Sequence, residues 1–141
     1  MASFGTYSFK SESVTYGPVI INGFADGDNV VSIAPIEDTF TAVAGAKGDV
    51  TRVQSSNDMV EITVRLLQSS EAAQQLIELY KADRETANGV LPFVAVNSQT
   101  GEVYTVPKAW IVRMPTRTRG QGHNAWEFTL HGNKLLPVTG I

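Results

Sequence analysis

The sequence contains no cysteine. This excludes disulfide frameworks, thiol catalysis, iron–sulfur clusters and the common zinc sites. Its two histidines, His123 and His131, fall on separate predicted elements without a carboxylate at ligand spacing, so we expect no metal and no cofactor. Segment 45–51 departs from the phosphate-loop motif and segment 26–29 departs from the calcium-loop motif. There is also no Gly-x-Ser-x-Gly elbow, and we therefore expect no enzymatic activity.

Long hydrophobic runs are also missing. No apolar stretch approaches the roughly 20 residues that cross a bilayer, and the first residues lack the basic and apolar regions of a signal peptide. We therefore expect no membrane partner, and a product that is used in the cytoplasm or exported by another route. With 43% apolar and 18% charged residues in 141, the chain is expected to form one globular domain, residues 1–141.

The charge is small in sum but uneven along the chain. A formal net charge of −3 argues against a dedicated nucleic-acid binder. Residues 1–102 carry thirteen acidic and six basic side chains, whereas residues 103–141 carry one acidic and five basic ones. This polarity suits head-to-tail association, in which one face of a subunit meets a different face of the next. The alternative is that both groups of charges are simply solvated.

Alternation of apolar and polar residues predicts a chain that is mostly β. The clearest strands are 60–67, 125–131 and 102–114; Pro107 predicts an edge or a bulge in the last of these. Residues 97–101 are typical of a hairpin turn. Within 102–114 the apolar side chains predicted to share a face are Tyr104, Val106, Trp110, Val112 and Met114. Further strands are predicted at 4–9, 13–21, 30–35, 38–44, 49–54 and 90–96.

One helix is predicted at about residues 70–86. Ser69 or Ser70 is a suitable N-cap, and Asn88-Gly89 is a C-cap signal. The apolar residues recur at helical spacing and predict one packed face; they are Ala73, Leu76, Ile77 and Tyr80. The expected fold class is mainly β, an antiparallel β-sandwich or barrel with this one flanking helix.

Several segments, taken in order, resemble the tail tube proteins of contractile-tailed phages. They begin with Ala2–Phe9, followed by the block Gly45–Val53 and the stretch Val60–Ser70. Later segments follow in the same order as in that family: Leu76 and Tyr80, Pro92-Phe93, Ala109-Trp110-Ile111 and Trp126-Glu127-Phe128. The resemblance covers about residues 3–131.

The resemblance implies a structural subunit that assembles as hexameric rings stacked into a hollow tube for genome delivery. The implied partners are other copies of the chain, tail sheath and baseplate or terminator proteins, and duplex DNA that passes without specific binding. The implied location is the virion tail, assembled in the host cytoplasm. Two alternatives remain open: the tube of a related injection machine, such as a bacteriocin-like tail or secretion system, and a monomeric β-barrel that binds a small ligand.

Two groups of residues are candidates for assembly and for the channel wall. Segment 44–58 is too polar for a core and is predicted to be an assembly arm that reaches a neighbouring subunit or ring. The candidate contacts between subunits or rings are Lys47, Asp49, Arg52, Asp58, Arg117 and Arg119. The lumen-facing candidates alternate with core positions on their strands; they are Glu61, Thr63, Arg65, Glu127 and Thr129. We expect Arg65 to pair with a nearby acidic side chain such as Glu61 or Glu127; alternatively these faces lie on the outer wall or under the helix.

Overall fold

The computed structural model describes residues 12–25, 30–98, 101–115 and 125–137. The predicted strand at 4–9 lies outside these residues. The elements, in chain order, are β1 (Glu12–Tyr16), β2 (Val19–Ile21), β3 (Val31–Pro35), β4 (Phe40–Ala44), β5 (Val50–Gln54), β6 (Val60–Leu67), α1 (Glu71–Thr86), β7 (Leu91–Asn97), β8 (Val103–Ile111) and β9 (Ala125–Gly132).

Seven of these strands form one antiparallel sheet in the order β2-β1-β7-β8-β9-β6-β3, and β4 and β5 form a second sheet of two strands. An isolated bridge joins Phe24, just after β2, to Leu66 in β6. The bridge connects the two halves of the sheet, so the sheet curls around its apolar side. The expected class, mainly β with antiparallel pairing and one helix, is confirmed.

The core lies on the concave side of this sheet. Strict alternation in β6 sends Ile62, Val64 and Leu66 inward, and all three are fully buried. Phe128 and Leu130 of β9 meet them there. The helix covers the same cluster with one face; Ala73 and Leu76 are buried and Ile77 and Tyr80 pack partly, as its periodicity predicts.

The ends of α1 differ in detail from the prediction. Ser70 is the N-cap residue, but its hydroxyl donates to the Asn22 carbonyl (2.7 Å) instead of capping the helix. The helix ends at Thr86, and its C-cap residue is Ala87, which adopts φ +58°, and not Asn88-Gly89. The Ala87 N–H donates to the Asp83 carbonyl at 2.7 Å, and the Asp83 carboxylate accepts from the Gly89 N–H. The side chain of Asp83, six residues before Gly89, thus caps the C-terminal end of the helix, a role that was expected of Asn88-Gly89.

A bulge in β8 changes which side chains enter the core. Phe93 of β7 pairs with Val106, whereas Leu91 pairs with Ala109, so two residues of β8 face one of β7. An inserted residue inverts the alternation beyond it. Val106 is therefore followed on the core side by Ala109 and Ile111. Of the edge or bulge predicted at Pro107, the bulge is confirmed. The placement of Trp110 and Met114 in phase with Val106 is wrong, and the strand ends at Ile111.

The predicted strand 13–21 is two strands. Gly17 takes a positive φ of +57° and turns the chain, so β1 and β2 pair as a tight hairpin. At this turn Tyr16 is 1% exposed, and its hydroxyl lies 3.0 Å from the Gly89 carbonyl and 3.1 Å from that of Ala109. This one side chain joins β1 to β8 and to the segment after α1.

Candidate functional site

The most exposed part of the described chain is the hairpin of β4 and β5, residues 40–54, called here the exposed hairpin. Every residue from 34 to 54 is exposed. Its strands are in register from Phe40 opposite Gln54 to Ala44 opposite Val50. The turn between them uses Gly48 at φ +89°, with the Gly45 N–H donating to the Asp49 carbonyl. The segment predicted as an arm at 44–58 thus corresponds to a hairpin that begins earlier and includes β4.

The exposed hairpin carries apolar side chains on both faces. Residues opposite each other in an antiparallel pair share a face, so Phe40 and Val50 lie on one face and Val43 and Val53 on the other. These four side chains are between 43% and 67% exposed. A hairpin of two strands is marginal without packing on a face, and none of its residues belongs to the core cluster of the described chain.

A polar corner joins the exposed hairpin to the main sheet. Two backbone bonds, Ile36 N–H to the Met59 carbonyl and Ser55 N–H to the Thr39 carbonyl, continue the ladder on each side of it. Between them the Ser55 hydroxyl donates to the Glu37 carboxylate. Asn57 accepts from the Met59 N–H at 3.1 Å and shapes the return into β6. The β3–β6 and β4–β5 pairs therefore form one long hairpin that is interrupted at this corner.

The predicted contact residues divide between this region and residues that are not described. Lys47 and Asp49 lie in the turn at the hairpin tip, and Asp58 lies at its base. The Arg52 guanidinium stacks over the Phe40 ring at 4.1 Å, which keeps both side chains on one face. Arg117 and Arg119 lie outside the described residues.

The predicted lumen candidates share the face of β6 and β9 that points away from the core, called here the polar face. Register places Arg65 directly opposite Glu127 and Glu61 opposite His131. Thr63 is opposite Thr129 between these two charged rows. Because α1 packs with the buried residues of β6, it covers the other face of the sheet.

Thr129 departs from the expectation for this group. Thr129 is only 6% exposed, so its side chain does not face water in the single chain. The physical reason is its central position. β6 lies on one side of β9, and on the other the chain leaving β8 pairs with it through the Val112 N–H, which donates to the Thr129 carbonyl at 3.0 Å. A short side chain between two such neighbours is covered by them.

A cleft of about 330 Å³ opens beside β3 and was not anticipated from the sequence. Val31 and Ile33 of β3 form one wall, and Val14, Ala95 and Leu135 lie across from them. We call it the edge cleft. Within the described residues β3 pairs only with β6, so it is the edge strand of the sheet. Its Pro35 was the available signal, because proline within a sheet is confined to edges and bulges.

One end of the edge cleft is acidic. Glu12 lines it and accepts from the Asn97 side-chain amide at 2.9 Å. Tyr104, also in the lining, donates to the Glu102 carboxylate at 3.1 Å. That hydrogen bond, with the nearby negative charges of Glu102 and Glu12, raises the pKa of Tyr104 above its ordinary value.

Two further properties bear on what these surfaces can do. Among the described residues no group of three histidine, aspartate or glutamate side chains is placed to hold a metal ion. In the same part of the chain, no helix combines the length and apolar character that a membrane span requires.

Comparison with known proteins adds a family and a relative. Residues 3–135 match the family model described as the bacteriophage PhiTE tail tube protein. A curated relative, "Structural protein ORF10" of Pseudomonas phage KPP10, is 33% identical over 97 residues. That match covers 67% of this chain and 56% of the relative, so the chain spans little more than half of the relative's length.

Solved structures with the same fold come from contractile injection systems. A PVC sheath/tube terminator has a TM-score of 0.67 at 14% identity and covers 98% of this chain and 99% of its own. A chain of the PVC sheath-tube complex has a TM-score of 0.64 at 13% identity, covering 96% of this chain and 93% of its own. At such identities the likeness concerns the fold. The family match spans nearly the whole sequence, and the chain therefore belongs to the bacteriophage tail tube protein family, whose members are structural proteins and not enzymes.

Proposed function

We propose that this chain is the repeating subunit of a phage tail tube, forming hexameric rings that stack into a hollow channel for genome delivery. The observation that carries the proposal is that this chain, a member of the tail tube family, presents an exposed hairpin with apolar side chains. Phe40, Val43 and Val53 are at least 43% exposed, on two faces. Burying such apolar area releases roughly 25 cal/mol per Å². In a tube every subunit has neighbouring copies, and we propose that one of these copies covers the apolar side chains of the exposed hairpin.

The polar face is our candidate for the channel wall. Six subunits that each contributed four strands would close a barrel about 50 Å across, since strands lie about 4.8 Å apart and tilt by about 40°. A wall over which DNA slides must not hold phosphates, because each bound phosphate releases counterions and adds affinity. Arg65 is the basic residue of this face, and the Glu127 position opposite it keeps the row near neutral.

The outer partners follow from the same proposal. A tail tube subunit meets sheath, baseplate and terminator proteins, is assembled in the host cytoplasm and ends in the virion tail. Duplex DNA would pass through without specific binding. The contact residues proposed for the interfaces between subunits or rings are Lys47, Asp49, Arg52, Asp58, Arg117 and Arg119.

Negative-stain microscopy of the purified protein tests the proposal directly. Wild-type protein should form hollow rods or rings, and hydrogen exchange at the exposed hairpin should be fast in free subunits and slow in tubes. A variant with residues 41–53 replaced by a short Gly-Ser link should keep a cooperative melt but form no tubes. The control is an equally exposed site outside the hairpin, Val90→Ser, which should leave assembly intact. Rods formed by the hairpin-replaced variant would contradict the proposed role of the hairpin.

The tube of a related contractile injection system is the second candidate, because the solved neighbours come from such systems. The phage family match favours the phage tail. A monomeric ligand-binding barrel would stay monomeric at all concentrations in size-exclusion chromatography with mass detection, whereas a tube subunit would not.

A further inference from the structure

We propose that the edge cleft of one subunit receives the exposed hairpin of another copy, which adds a strand to the edge of β3 that no described strand occupies. This rests on the proposed tube assembly and names the surface that takes the hairpin. The starting observation is the edge itself. β3 is bonded on one side to β6, with Val31 opposite Val64 and Pro35 opposite Val60.

The hydrogen-bond pattern shows which groups of β3 are left for a partner. The Val30 carbonyl accepts from the Arg65 N–H, and the Ile36 N–H donates to the Met59 carbonyl, so even-numbered residues bond towards β6. In an antiparallel ladder the alternate residues point the other way. Val31 and Ile33 therefore direct both backbone groups away from β6, towards the edge cleft, and Pro35 offers a carbonyl without an N–H. The backbone groups of Val31 and Ile33 can therefore hydrogen-bond to a short added strand. A longer strand would find no N–H donor at Pro35.

The chemistry of the cleft matches the hairpin. Its apolar walls, including Ile33 and Leu135, suit the valines that the hairpin leaves exposed. Its acidic end, with Glu12 and nearby Glu102, suits a basic strand. The exposed hairpin carries Lys47 and Arg52 against the single acidic Asp49.

The exposed hairpin does not occupy the edge cleft of its own chain, because all of the hairpin residues are exposed in the subunit. Another copy must therefore bring it. An interface between a hairpin on one copy and a cleft on the next is head-to-tail, and such contacts propagate into rings or filaments.

The absence of cysteine allows a clean cross-linking test. In the double variant Ser32→Cys/Val53→Cys, one cysteine lies at the edge cleft and one on β5. The matched control is Ser32→Cys/Val90→Cys, because Val53 and Val90 are 50% and 47% exposed and Val90 lies just before β7, at the end opposite Ala95. Preformed tubes are treated with a short bis-maleimide and resolved on a denaturing gel.

The expected result is loss of the monomer band and a ladder of oligomers for Ser32→Cys/Val53→Cys, with monomer retained in the control. Each alternative result overturns the inference. Dimers without a ladder mean a reciprocal contact, and cross-links within isolated monomers mean that a segment of the same chain fills the cleft. Tubes without the cross-link place the hairpin on another surface and leave the proposed function standing. Failure of the wild-type protein to form rings or tubes removes the proposed function together with the inference.

Discussion

β5 and β6 are made from similar residues, but most apolar side chains of β6 are buried and those of β5 are exposed. β6 reads Val-Glu-Ile-Thr-Val-Arg-Leu-Leu and β5 reads Val-Thr-Arg-Val-Gln. In β6 the apolar residues are two apart, so they share a face, and Ile62 and Val64 are 0% exposed. In β5 the valines are three apart, so Val50 and Val53 fall on opposite faces and are 67% and 50% exposed.

The difference shows what the spacing of apolar residues determines. A strand with one apolar face can be completed by its own chain, because one layer of core covers it. A strand with apolar residues on both faces needs two covering layers, and the exposed hairpin has none within its own described subunit. Strand propensity alone therefore does not separate a core strand from an exposed strand; the phase of the apolar residues does.

The same substitution in the two regions should have the largest contrast. Phe128→Ala removes a fully buried ring from the core and should lower the free energy of unfolding by about 3–5 kcal/mol. Phe40→Ala removes a ring that is 43% exposed and should change it by less than about 0.5 kcal/mol. Urea denaturation of the free subunits measures both. Equal losses would mean that the hairpin packs on its own subunit in solution.

Glycine substitutions extend this comparison to the backbone. Gly132 pairs with Val60 and Ala109, and a methyl group built on it overlaps the buried Val106 side chain. Gly132→Ala should therefore cost about 1–3 kcal/mol of global stability.

Gly48→Ala meets no atom within 4 Å, but its φ of +89° strains an alanine. Its cost should be confined to the hairpin turn. It should appear as faster amide exchange in residues 45–50, with an unchanged global melting temperature. A lowered melting temperature for Gly48→Ala would indicate that the hairpin unfolds together with the sheet.

Much of the fold was accessible from the sequence. The strands 60–67 and 125–131, the helix and the hairpin turn near 97–101 follow from local periodicity and turn residues. The predicted placement of Trp110 and Met114 on the face of Val106 is wrong, because a single bulge residue inverts the phase of everything after it. The division of 13–21 was missed although Gly17-Pro18 signals a turn. The edge cleft depends on which strands end beside each other, and that is a property of the sheet order and not of any one segment.

The stability of the main sheet should depend on alkaline pH through Tyr16, whereas the exposed hairpin contains no tyrosine. Burial, followed by the negative charge of Asp83, raises the pKa of Tyr16 to about 12 from 10.0. Because the folded-state pKa is the higher one, the stability linked to Tyr16 is complete below pH 10 and is lost as the pH rises towards 12.

Tyr16→Phe removes the hydroxyl that lies near the carbonyls of Gly89 and Ala109 and should cost about 1 kcal/mol at neutral pH. The stability difference between wild type and variant should narrow between pH 10 and pH 12. Urea denaturation at a series of pH values measures this. A constant difference across that range would show that Tyr16 titrates alike in the folded and unfolded states.

The smallest effect on stability, and the sharpest on function, is expected from the polar face. Glu61→Lys and Glu127→Lys together should change the free energy of unfolding by no more than about 1 kcal/mol, with the Glu127 change contributing most because it sets a lysine opposite Arg65. The neutral pair Glu61→Gln/Glu127→Gln is the control for lost carboxylates. If this face lines the channel, the lysine variant should form normal tubes and eject the genome more slowly, with the delay relieved by added salt because phosphate binding is screened. The same reversal on the hairpin, Lys47→Glu/Arg52→Glu, should instead impair tube formation. Unchanged ejection kinetics in lysine-variant tubes of normal length would place the polar face away from the DNA.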